Sequence, residues 1–241
     1  MIAERLDEMI KMIKQYNAYT SKRIISAAYI LYPCVILAVS FALTFIFRNS
    51  ESCVFILSFV SMFSMIYSVI VICVSDRYCI GTIMVNNSQL NEMAKTSSTG
   101  KTVILNIIKW DIFQRLILIG VIYLGLFISR AIISDKNLLP LILMSILGIV
   151  SSHMVSSLLC WICRKIENNT ISTLIYSFGF IWILPTMILS VFPFEKIPPV
   201  IIIVTAAVYL TADVIINVIG VILMKNFINK EWYNDRISEG R

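Results

Sequence analysis

Six long apolar runs dominate this sequence, near residues 24–47, 53–75, 112–134, 138–163, 170–192 and 200–224. Each reaches the ~20 residues a helix needs to cross the ~30 Å hydrocarbon core of a bilayer. An unpaired backbone N–H or C=O in hydrocarbon costs several kcal/mol, so runs of this kind must close their hydrogen bonds within themselves, as helices. Composition agrees: 59% of the 241 residues are hydrophobic and 14% charged, with a mean hydropathy of +0.87. Soluble domains sit near ~45–50% apolar and ~25% charged. A free-standing soluble enzyme and a nucleic-acid-wrapping protein are excluded on that ground. The expected fold is all-α: a polytopic membrane protein with six transmembrane helices in a single domain over residues 1–241.

Residues 1–23 precede the first run. Ile2, Leu6, Met9, Ile10 and Ile13 recur at helical spacing, while Glu4, Arg5, Asp7, Glu8, Lys11 and Lys14 cover the opposite face. This pattern predicts an amphipathic helix lying in the membrane interface, against lipid. Charges throughout and the lack of an apolar core argue against a signal peptide. Orientation follows from Lys and Arg. With the N-terminus inside, the inner segments hold fifteen of the 20 basic residues and the outer ones only Arg48, Lys136 and Lys196. Both termini, the 76–111 loop and the 225–241 tail are therefore expected in the cytoplasm. The net charge of +6 reflects those loops and implies no nucleic-acid partner.

The 76–111 loop is the longest polar stretch between the apolar runs. Its Ser97-Ser98-Thr99-Gly100-Lys101-Thr102 segment invites comparison with a phosphate-binding loop. That motif needs a glycine five positions before Gly100, where this chain has Lys95. Helix punctuation explains the segment better: Ser98 or Thr99 caps a helix, and Val103, Ile104, Ile107 and Ile108 form its apolar face. A second short amphipathic stretch near 88–95 carries Leu90, Met93 and Ala94 on one side. Two short helices under the membrane would make a docking surface.

An amphipathic start, six spans, cytoplasmic termini, Asp76 closing the second span and the Thr99-to-Leu105 segment leading into the third resemble the permease subunits of ABC-2-type exporters. Ser97 stands at that family's motif proline and Gly100 at its arginine. The length resembles the half-size permeases of Gram-positive peptide exporters, which move phenol-soluble modulins or bacteriocins, or confer lantibiotic immunity. The resemblance implies a bacterial plasma-membrane protein, a second permease chain (identical or different), separate ABC ATPase subunits and an amphipathic or hydrophobic peptide as cargo. It implies that ATP and Mg²⁺ are bound by the partner ATPase and that this chain holds no cofactor or catalytic residue of its own. The coupling loop would comprise Leu90, Met93, Lys95, Thr99, Gly100 and Lys101. The family also implies a bent fifth span, which Pro185, Pro193, Pro198 and Pro199 fit.

Polar residues inside the runs are the other candidates. Asp213 lies near the middle of the sixth span with Asn217 one turn later; Arg130 is near the outer end of the third, and His153 is in the fourth. Asp213 should face the bundle interior, while Arg130 could snorkel outward or pair with an acid; together these groups line a translocation path or form a polar clamp between helices. An ion-coupled transporter or channel acting through Asp213 is the alternative function. His153 and Cys160, seven apart, raise a third reading, a membrane cysteine peptidase, but a straight helix separates them by ~10 Å of rise. Cys160 and Cys163 have metal-ligand spacing with no second pair to complete a site, so no metal is expected. Ser151, Ser152, Ser156 and Ser157 would let helices approach closely or would line a wet cavity.

Overall fold

The computed structural model describes residues 26–47, 53–76, 99–132, 138–164, 171, 174–175 and 198–230. Among these, every regular element is helical. A π-helical turn, Ala27–Leu31, leads into α1, Tyr32–Phe47; α2 is Cys53–Asp76, α3 Gly100–Ala131, α4 Leu138–Cys163 and α5 Pro199–Lys230. Four stretches, Ala27–Phe47, Gly100–Ala131, Leu138–Cys163 and Pro199–Asn226, are long and apolar enough to cross a membrane. Their outward faces carry large exposed apolar side chains, among them Phe45, Leu124, Val208 and Ile222. Surfaces of this kind fit a membrane-embedded, multi-pass chain.

The apolar runs locate the helices closely, with two corrections. The helix expected over 112–134 begins twelve residues earlier, at Gly100, and is continuous for 32 residues. Its amphipathic start is therefore not a separate short helix under the membrane. Ile104, Ile107 and Ile108 form the buried face expected of that segment. The sixth run, expected to end at 224, stays helical to Lys230. The interfacial helix of residues 1–23, the loop helix near 88–95 and the fifth span at 170–192 fall wholly or almost wholly outside the described residues.

The π-turn has a local cause. Pro33 lacks a backbone N–H and its ring crowds the carbonyl four residues before it, so the ladder opens there. Tyr32 N–H reaches back to the Ala27 carbonyl, one residue further than in an α-helix.

Helix α4 is the centre of the bundle, packing against α2, α3 and α5. Val69, Ile72, Leu118, Ile119, Ile122, Val155 and Leu159 form the main core. Close approach is built into the sequence: a Cβ on Gly148 would enter the ring of Tyr123, and one on Gly220 would enter the ring of Trp161. Buried hydroxyls are satisfied locally, Ser40 donating to the Ile36 carbonyl, Ser129 to Gly125 and Ser156 to His153.

Contacts fix the helix directions. His153, Ser157 and Trp161 of α4 meet Asp213, Asn217 and Gly220 of α5 in the same order, so these two helices run parallel. The end of α4 at Arg164 lies beside the end of α2 at Asp76 and beside Asp111, eleven residues into α3. The first eleven residues of α3 thus extend past that level by about 16 Å.

Candidate functional site

Two polar networks occupy the interior. The first is a charge layer where α2 and α4 end. Arg164 donates from Nε to both oxygens of Asp76, at 3.1 and 3.2 Å, and from Nη2 to Asp76 Oδ1 and to Asp111 Oδ2, the latter at 2.7 Å. Arg115 Nη2 lies 3.1 Å from the same Asp111 oxygen, and its Nη1 donates to the Ser156 carbonyl at 3.4 Å. All four side chains are 2% exposed or less. Two carboxylates face two guanidiniums, so the layer is neutral as a whole. Unpaired, any one of these ions would cost several kcal/mol to bury; the fork geometry of arginine makes the set tolerable. Burial alone would lower the Arg164 pKa, but the carboxylates of Asp76 and then Asp111 carry it above the usual arginine value. Arg164 is therefore charged at every accessible pH.

The second network lies near the middle of α4 and α5. His153 Nδ1 is 2.9 Å from Asp213 Oδ2, and its Nε2 is 3.1 Å from the Ile112 carbonyl oxygen on α3. Asn217 Nδ2 donates to the other Asp213 oxygen at 2.9 Å, to the Asp213 carbonyl at 3.0 Å and to Ser157 Oγ at 3.2 Å. Asn217 Oδ1 accepts from the indole N–H of Trp161 at 3.3 Å. An indole N–H only donates and a backbone carbonyl only accepts, so these contacts settle which end of the Asn217 amide is oxygen. Trp161 also ties the two networks together, because the Arg164 guanidinium stands over its ring, 4.6 Å from the centroid.

The structure brings three of the four intramembrane candidates, Asp213, Asn217 and His153, into one network. Arg130 does not join them; it donates to the Leu57 carbonyl at 3.4 Å, towards the other end of the bundle. Thr99 occupies the cap position of α3 without a side-chain capping bond, although its carbonyl accepts from Val103 N–H, and Gly100 and Lys101 form the first turn. Leu90, Met93 and Lys95 lie outside the described residues. His153 has both ring nitrogens engaged, leaving neither for Cys160, which packs in the core beside Cys73. The serine cluster serves contact between helices: Ser152 bonds the Tyr123 hydroxyl at 3.2 Å and Ser157 accepts from Asn217. Among the described residues no group of acidic, histidine or cysteine side chains is arranged to hold a metal.

Comparisons with protein-family models, curated proteins and solved structures give no match. The functional reading rests on the chain's own residues.

Sequence reasoning missed the charge layer. Asp111 reads as a loop charge just before an apolar run, and Arg164 as one more cytoplasmic base. The available signal was Arg115, the fourth residue of the apolar run at 112–134 and four positions after Asp111. That spacing places both on one helix face and asks for a further counter-charge nearby.

Proposed function

We propose that this chain is a membrane permease subunit of an ABC exporter. It would move an amphipathic or hydrophobic peptide out of the cell, using ATP hydrolysed by a separate ATPase. The observation that carries this reading is the form of α3. A 32-residue helix is about 48 Å long, some 18 Å more than the hydrocarbon core. Its overshooting first turns are continuous with the span, and the charge layer ties it at Asp111 and Arg115 to the ends of α2 and α4. A push on the Gly100 end is passed to three helices at once, as a permease driven by a partner requires. The parallel course of α4 and α5 supports a single crossing between them, and with it six spans with both termini in the cytoplasm of a bacterial plasma membrane. A second permease chain would complete the pathway.

The test is co-purification from mild detergent with an ABC ATPase encoded beside this chain, followed by an ATP hydrolysis assay. A stable, ATP-hydrolysing complex is expected. It should be lost when residues 88–99 are replaced by a Gly/Ser linker of equal length. A folded chain that recruits no ATPase overturns the reading.

A second reading is favoured by the His153–Asp213 pair: an ion-coupled transporter that needs no ATPase. An acid and a base in contact at mid-depth are the parts a proton-linked carrier uses. Transport by the chain alone in proteoliposomes, driven by a pH gradient and abolished by Asp213→Asn, would establish it.

A further inference from the structure

We propose that the Trp161 ring is a transmission element: it passes displacement of α5 to the buried charge layer, so that Asn217 on α5 and Arg164 in the layer are energetically coupled through it. Among the described residues, the hydrogen bonds of Arg164 and Arg115 run to Asp76, to Asp111 and to the Ser156 carbonyl, on α2, α3 and α4. The link from the layer to α5 is an indole. Trp161 donates its N–H to Asn217 Oδ1 at 3.3 Å, and the Arg164 guanidinium stands over the same ring, 4.6 Å from the centroid. The two contacts use different parts of the ring. The N–H lies in its plane, and the cation rests on its π face. One side chain therefore holds both partners at once.

The ring has little room to yield. A Cβ on Gly220 would lie 2.2, 2.4 and 2.5 Å from Cε2, Cδ2 and Nε1 of Trp161, so the indole is seated against the α5 backbone. Arg164 is equally fixed: its Nε is shared between the Asp76 oxygens at 3.1 and 3.2 Å, and its Nη2 reaches Asp111 at 2.7 Å. An indole is rigid and turns about only two side-chain bonds. When α5 shifts along α4, the ring either follows Asn217 and Gly220 and leaves Arg164, or keeps Arg164 and loses Asn217. Movement of one network thus costs a contact of the other. A second route runs from Asp213 through His153 to the Ile112 carbonyl, the residue after Asp111. It ends on a backbone oxygen and reaches no charged side chain of the layer. The coupling is a property of the chain alone, whichever partner or gradient drives it.

The test uses uniformly ¹⁵N-labelled full-length chain in lipid vesicles, followed by solid-state NMR. Hydrogen exchange at Arg164 Nε, assigned by its absence in Arg164→Lys, reports on the charge layer. Asn217→Ala removes the acceptor of the indole. It should speed that exchange about fivefold, the scale set by one buried hydrogen bond, while the backbone amides of Ile119 and Ile122 in the core keep their rates. Trp161→Phe keeps an aromatic face for Arg164 but has no N–H. In that background Asn217→Ala should leave the Arg164 rate unchanged. Coupling is reciprocal, so Arg164→Lys should shift the side-chain amide signal of Asn217, and should not do so with Phe at 161. An Arg164 rate unmoved by Asn217→Ala overturns the proposal. So does equal acceleration with Phe at 161, which assigns the coupling to the His153–Ile112 route. Equal acceleration of the core amides overturns it as well, because the substitution would then have loosened the whole bundle.

Discussion

The charge layer and the His153–Asp213 network are both buried, and both tie α4 to its neighbours. They differ in what their members can do. The charge layer pairs two guanidiniums that never lose a proton with two carboxylates, all at 2% exposure or less. Its guanidiniums stay charged, and they hold the carboxylates ionised against the burial that pushes the Asp76 carboxyl above its ordinary range. The second network is built from an imidazole, a carboxyl, an amide and an indole, and an imidazole is the side chain whose charge responds most readily to conditions near neutral pH. One region is suited to carrying force and the other to responding to conditions.

Substitutions separate the two. Arg164→Ala should have the largest effect, because it strands Asp76 and weakens the pairing of Asp111; about 3–5 kcal/mol of stability is expected to go. Thermal unfolding of the detergent-solubilised chain measures it. Replacing Asp76 and Arg164 together with Asn and Gln should cost clearly less than Arg164→Ala alone, since no uncompensated charge is left. A double variant as unstable as the single one would show that the layer does more than neutralise itself. Gly220→Ala comes next, at about 1–3 kcal/mol, because the added methyl must displace the Trp161 ring. A shift in tryptophan fluorescence should accompany the lower melting temperature. Asp213→Asn is expected to change stability by only about 1 kcal/mol, the usual worth of a polar contact between membrane helices. Under the ion-coupled reading its mark is the loss of transport driven by a pH gradient in proteoliposomes. Lys109→Ala, on the exposed side of α3, should alter stability by less than about 0.5 kcal/mol while weakening ATPase recruitment in the co-purification assay.

Much of the bundle is legible in the sequence because hydrophobic length is a local property. The runs at 53–75 and 138–163 match Cys53–Asp76 and Leu138–Cys163 almost residue for residue. The start of α3 is less legible. Lys101, Lys109 and Asp111 give residues 100–111 a polar look that hides their continuity with the span. Asp213 and Asn217 stand out as polar residues one turn apart. Their meeting with His153, 60 positions away, depends on the parallel docking of α4 and α5, which no periodicity reports. The same holds for Arg164 and Asp76, 88 positions apart. A charge at the end of an apolar run looks alike whether it faces water or a buried partner.

The depth of the histidine has an electrical consequence. His153 lies eleven residues before Arg164 on α4, about 16 Å along the axis and so near the middle of a ~30 Å core. A unit charge brought to that depth from one side crosses roughly half of the transmembrane voltage, worth about 1.2 kcal/mol per 100 mV. The charge layer, with no net charge, exchanges no such work when it shifts as a unit. A charge carried at the depth of His153 therefore feels the membrane voltage, whereas the clamp of Arg115 and Arg164, moved as a unit, does not.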